Sequence, residues 1–77
     1  MIAAHKIETI RFNQDFIILN IDGNELTIPL DKLSSRLKSA TDIERAMYKI
    51  SPSGYGIHWP LIDEDLSIDG ILRDFAK

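Results

Sequence analysis

YGIHWPLIDEDLSIDGILRD, residues 55–74, contains the only tryptophan of the 77-residue chain and five of its twelve acidic residues. Tyr55, Ile57 and Trp59 alternate with Gly56 and His58, the period of a strand, which predicts one face carrying the three large apolar groups. Pro60 lacks a backbone donor and stops that strand. Further on, Ser67 can accept a free amide of a helix's first turn, and Asp69 complements the positive end of the helix dipole. Ile68, Ile71, Leu72 and Phe75 then recur at helical spacing, so a last helix with one apolar side runs almost to Lys77. A strand joined by an acidic turn to an amphipathic helix cannot bury its apolar faces alone. The residues upstream must supply both a strand partner and a surface to pack on.

The nearest partner is Tyr48–Ser51, which reads as extended and is separated from Tyr55 by the turn Pro52-Ser53-Gly54, making a hairpin. Farther upstream, Phe16–Ile21 is apolar on both faces, as suits the middle strand of a sheet. Before it, His5–Phe12 reads as a strand buried mainly towards Ile10 and Phe12 and followed by the turn Asn13-Gln14-Asp15. After it, Asp22-Gly23 supplies a hairpin turn, because glycine tolerates the positive φ such turns need. Glu25–Leu30 alternates with Leu26, Ile28 and Leu30 inward, and Pro29 puts that strand at an edge or ends it. Asp31 is expected to cap a helix that carries Leu30, Leu33 and Leu37 on one side and stops near Ser39-Ala40. Thr41-Asp42-Ile43-Glu44 fits a capping box for a second short helix, with Ile43, Ala46 and Met47 expected to be buried. The fold class is therefore α+β, one domain over residues 1–77: a three-stranded antiparallel meander, two short helices, a second β-hairpin and a C-terminal helix.

A chain this short buries only about 60% of its unfolded surface, and small domains commonly lean on disulfides, metals or partners. The absence of cysteine excludes a disulfide and a thiolate metal site. No apolar run approaches the length of a membrane span, Phe16–Leu19 being the longest hydrophobic block. The N-terminus also lacks the pattern of a signal peptide. A soluble, cytoplasmic protein is the expectation. The net charge of −3 is unevenly placed. Residues 1–50 balance seven acids with seven bases, whereas residues 51–77 set Asp63, Glu64, Asp65, Asp69 and Asp74 against Arg73 and Lys77. Such a distribution argues against a broad phosphate-binding face and makes nucleic-acid binding by this chain alone an unfavoured expectation.

Asp63-Glu64-Asp65, with Asp69 nearby, raises the question of a cation site, since hard cations take several carboxylate oxygens. The spacing departs from an EF-hand, with no glycine at the sixth place and no glutamate at the twelfth. A solvated acidic turn that also charges a helix N-terminus is the favoured reading, so no metal and no cofactor are expected. His5 and His58 do not share helical ligand spacing, and no Ser/His/Asp signature, phosphate loop or HExxH motif is present. The chain is read as a non-enzyme. Trp59 is favoured as core by its alternation with Tyr55 and Ile57, although an indole is also a common interface anchor. Lys32, Arg36 and Lys38 lie on the first helix, Lys32 and Arg36 on one exposed stripe, ordinarily a solvated face.

The segment GYGIHWPLIDEDLSIDGIL at residues 54–72 resembles the C-terminal signature of the bacterial domain of unknown function family 2442. The resemblance extends along nearly the whole chain through Asp22-Gly23, Leu30–Leu37, Thr41–Arg45 and Gly54–Ser67. Met47-Tyr48 stands where the family often has an aromatic residue before the hairpin. The resemblance implies a small α+β domain, often encoded beside toxin-like genes, and hence an antitoxin or accessory role. It brings no catalytic residues. Longer relatives carry a helix-turn-helix domain, which this chain, ending at Lys77, is expected to lack. The reading that follows is an interaction protein that binds and neutralises a small protein such as a basic toxin. Asp63, Glu64, Asp65 and Asp69 would steer the partner and His58 and Trp59 would contact it. The alternative is a DNA-associated transcriptional regulator acting as a dimer through Lys32, Arg36 and Lys38. A homodimer is compatible with either reading, and a metal-dependent enzyme is a distant third.

Overall fold

The computed structural model describes residues 4–76. Three strands, β1 (Ile7–Phe12), β2 (Phe16–Ile21) and β3 (Asn24–Pro29), form an antiparallel sheet in the order β1-β2-β3. Asn13 shapes the first turn, its side-chain oxygen accepting the amides of Asp15 and Phe16. The second turn places both Asp22 (φ 52°) and Gly23 (φ 83°) in the left-handed region. That pairing matches the right-handed twist of the flanking strands. Central β2 buries Ile17, Leu19 and Ile21 completely or nearly so, and Pro29 ends the edge strand as expected.

Between the sheets run α1 (Leu30–Leu33), α2 (Ser35–Ser39) and α3 (Asp42–Ala46). The single helix expected to carry Leu30, Leu33 and Leu37 and to stop near Ser39-Ala40 is thus broken at Ser34. Asp31 does not cap it: Pro29 holds the N-cap position without a side-chain bond, and Asp31 lies inside the first turn. Ser34 caps α2 instead, accepting the Leu37 amide at 3.1 Å. The capping box at Thr41 and Glu44 is present in both directions, at 3.2 and 2.8 Å.

A second antiparallel sheet contains β4 (Lys49–Ile50), β5 (Gly56–Trp59) and β6 (Glu64–Ser67), in the order β4-β5-β6. The hairpin expected from the sequence therefore gains a third strand, drawn from the acidic segment. Leu66 pairs opposite Ile57 and is buried with it, while Asp65 lies opposite His58. Tyr55 departs from the alternation: it precedes β5 and is 42% exposed. The hairpin's connection is a short 3-10 turn, Pro52–Gly54. Gly54 has φ +68°, and a Cβ there would overlap the backbone carbonyl of His5. Only glycine meets both conditions. Finally α4 (Ile68–Phe75) begins at Ser67, whose hydroxyl accepts the Gly70 amide, and packs Ile68 and Ile71 inward.

The two sheets share one core. Trp59 is fully buried within it, alongside Ile17, Leu19, Ile28, Leu37, Ile57 and Ile68. The indole meets Phe12 edge-on at 6.3 Å and Tyr48 at 6.2 Å, and its N–H donates to the Arg45 carbonyl at 3.0 Å. The burial expected for α3 is inverted. Ile43, Ala46 and Met47 all face outward, Ile43 being 73% exposed, whereas Arg45 turns in and is 7% exposed. Its guanidinium stacks over Phe12 at 5.1 Å. It donates to four backbone carbonyls: Leu37 and Lys38 at the end of α2, and Asn13 and Gln14 in the β1–β2 turn. Helix-terminal carbonyls carry partial negative charge, so among the described residues the cation is held by backbone oxygens rather than by a carboxylate. Neither isoleucine nor methionine could satisfy those oxygens, which explains why the arginine displaces them from the interior.

Candidate functional site

Position 58 lies on the side of β5 that faces away from the core. His58 stands between Lys49 on β4 and Asp65 on β6, in a row across the outer face of the second sheet. Its Nδ1 lies 2.7 Å from Asp65 Oδ1, with the two side chains 40% and 75% exposed. Anchoring Nδ1 leaves Nε2 to meet solvent or a ligand. Next to this row, Gly56 has no side chain and lies opposite Ser67, which opens a shallow groove bounded by Ile50, Pro52, His58 and Asp65. The two hydroxyls at its edge have structural tasks. Ser51 Oγ accepts the Gly56 amide at 2.8 Å, and Ser67 Oγ caps α4.

The three consecutive acids diverge. Asp63 lies in the turn at φ 52°, and its carbonyl accepts from Arg36 Nη1 at 2.5 Å. Glu64 lies opposite Trp59 on β6 and is half-buried. One carboxylate oxygen accepts the Ser34 hydroxyl at 2.5 Å and the other the Asp65 amide at 3.0 Å. Glu64 therefore fastens β6 to the junction of α1 and α2. Asp65 points the other way, to His58. Strand geometry itself separates them, since successive side chains leave opposite faces. Among the described residues no group of three or more His, Asp and Glu side chains gathers to hold a metal ion.

Asp69 lies in the first turn of α4 and is 69% exposed, yet its carboxylate is engaged at 2.8 Å by His5 Nε2. Trp59 is fully enclosed, so its ring is core and offers no surface for contact. Of the six candidate residues, then, Asp63 borders solvent, His58 and Asp65 do so as a pair, Asp69 is shared with His5, and Glu64 and Trp59 serve the fold. The basic stripe is also divided. Lys32 and Lys38 are exposed, but Arg36 reaches the Asp63 carbonyl. Sequence patterns alone do not indicate the outward side chains of α3 or the engagement of His5. Both depend on residues brought together from distant parts of the chain.

The model of the family described as "Protein of unknown function (DUF2442)" matches residues 7–77. The chain belongs to that family. Among solved structures, a protein of unknown function from Rhodospirillum rubrum ATCC 11170 superimposes with a TM-score of 0.70 at 26% identity, covering 92% of this chain and 88% of that one. An uncharacterized protein from Chromobacterium violaceum, solved by NMR, gives a TM-score of 0.67 at 26% identity, covering 87% of this chain and 63% of that one. No curated protein matches. The structural neighbours share the architecture described above, and neither they nor the DUF2442 description names an activity. No described helix is long and apolar enough to cross a membrane.

Proposed function

We propose that this DUF2442 domain is a bacterial, cytoplasmic interaction protein, antitoxin-like in action, that binds and neutralises a small basic protein without chemistry of its own. The observation that carries the reading is the exposure of large apolar side chains beside a well-filled core: Ile43 at 73%, Leu61 at 55% and Met47 at 52%. Ile43 on α3 and Met47, the residue that caps its C-terminus, both face outward. The indole N–H bond from Trp59 to the Arg45 carbonyl brings the strand leading to Leu61 against the end of the same helix. Apolar anchors of this kind supply affinity in protein interfaces. Asp63 and Asp65, exposed in the neighbouring turn and strand, would raise the association rate with a basic partner. The link to toxin-like genes implied by the resemblance gives the interaction its proposed antitoxin form. The regulator reading has less support, since Arg36 is committed to Asp63.

The test is capture by the tagged full chain from its host at moderate salt, read by mass spectrometry, with two double variants beside the wild type. Ile43→Ser/Met47→Ser should melt within about 0.5 kcal/mol of wild type, as exposed positions do, and should lose the partner. Asp63→Asn/Asp65→Asn should fold normally and associate more slowly, with the deficit shrinking as salt is raised. A small basic protein held stoichiometrically by wild type and lost in the apolar variant is the expected result. Recovery of the bait alone, or a partner retained equally by all three proteins, would overturn the proposal.

A further inference from the structure

We propose that His5 is a pH-gated staple whose imidazolium joins the β2–β3 turn to the start of α4 and lets go when the ring loses its second proton. Both ring nitrogens face carboxylates: Nδ1 lies 2.8 Å from Asp22 Oδ2, and Nε2 lies 2.8 Å from Asp69 Oδ1. A neutral imidazole has one N–H and one bare lone pair. It could serve one of these carboxylates, but would set the lone pair against the other. Only the doubly protonated ring donates to both, and it does so with two charge-assisted bonds.

The surroundings give the ring little room to turn away. Its side chain is 10% exposed. The backbone is pinned on both sides, with the His5 amide on the Ser53 carbonyl and the Lys6 amide on Asp22 Oδ1, each at 2.8 Å. The Asp22 amide returns a bond to the Lys6 carbonyl. Other charged groups on these elements are occupied elsewhere: Glu8 accepts the Gly23 amide, and Arg73 pairs with Asp74. Among the described residues, the ring's hydrogen-bond partners are Asp22 and Asp69. Positions 5, 22 and 69 thus meet in one contact that links the N-terminal lead-in, the first sheet and the last helix.

The direction of the pH response follows from the same bonds. The hydrogen bonds its ring donates to Asp22 first and Asp69 second hold the His5 pKa above its ordinary 6.5, against the partial burial that opposes charge. The Lys6 amide, and then His5, hold Asp22 below its ordinary 3.8. The histidine's contribution to stability is complete below 6.5 and disappears as pH rises through the raised folded value. Asp22's contribution is present above 3.8 and disappears as pH falls through the lowered value. The staple is therefore closed between these limits and opens on the alkaline side, which also frees the Asp69 carboxylate.

The experiment is an NMR titration of the histidine ring protons of the full chain from about pH 5 to about pH 9, spanning the range in which histidine titrates. Thermal melts of wild type, His5→Gln, His58→Gln and Asp69→Asn cover the same range. His5 should titrate above 6.5. Wild type and His58→Gln should lose melting temperature across that midpoint, and His5→Gln should lack the step. Asp69→Asn should bring the His5 midpoint down, a readout that stands even if His5→Gln fails to fold. Titration of His5 at or below 6.5, an unchanged midpoint in Asp69→Asn, or retention of the alkaline step in His5→Gln would overturn the proposal.

Discussion

Trp59→Ala should leave little folded protein at 37 °C. Replacing a fully buried tryptophan by alanine costs about 3–5 kcal/mol, and a domain of this length has roughly 4–12 kcal/mol in total. The loss has three parts here. The cavity falls where the two sheets meet, so residues from both lose packing at once. The edge-on contact with Phe12 and the tilted one with Tyr48 disappear. The Arg45 carbonyl loses its indole donor. Trp59→Phe would keep much of the packing and forfeit that bond, at about 1–2 kcal/mol. Urea denaturation followed by circular dichroism separates these outcomes. An alanine variant melting within a few degrees of wild type would show that the ring is dispensable to the core.

Arg45→Ala should be nearly as damaging, at about 3–5 kcal/mol, because it strips a charged donor from several enclosed acceptors at once. Four carbonyls from two separate segments converge on the guanidinium, and each is left to find water in a confined space. Arg45→Lys is the more informative change. It keeps the charge, but an ammonium has three donors on a single atom and cannot span the planar fork. We expect it to recover less than half of the loss. Because the Arg45 carbonyl also receives the Trp59 N–H, a double-mutant cycle between Arg45→Lys and Trp59→Phe should be non-additive. A lysine variant as stable as wild type would show that charge alone, not the fork, holds the site.

Much of the architecture can be read from pattern. The two-sided apolar run of β2, the Asp22-Gly23 turn, the capping box at Thr41 and the apolar stripe of α4 each announce themselves locally, and each is in place. What pattern misreads is governed by distant partners. Asp63-Glu64-Asp65 looks like a solvated turn because acidic residues are poor strand formers. Pairing with β5 nevertheless makes Glu64–Ser67 a strand and sends neighbouring carboxylates to opposite faces. In α3, hydrophobic spacing assigns Ile43 and Met47 to the interior, but a five-residue helix barely samples the helical period. The need of the β1–β2 turn and the α2 terminus for a common donor decides the matter in favour of an arginine. Of the proposed contact residues, His58, Asp63 and Asp65 are recognisable as exposed from the sequence. The outward apolar side chains of α3 emerge only from the fold.

The guanidinium also dictates an order of assembly. The meander is built from neighbouring strands and needs only short loops to close, so it can form early. Arg45 reaches back across as many as 32 residues to the first turn. It can engage only after that turn and the end of α2 already exist. A contact between such distant parts of the chain is expected to belong to the native state more than to the barrier before it. Its removal should therefore shorten the lifetime of the folded molecule while leaving the refolding rate nearly unchanged.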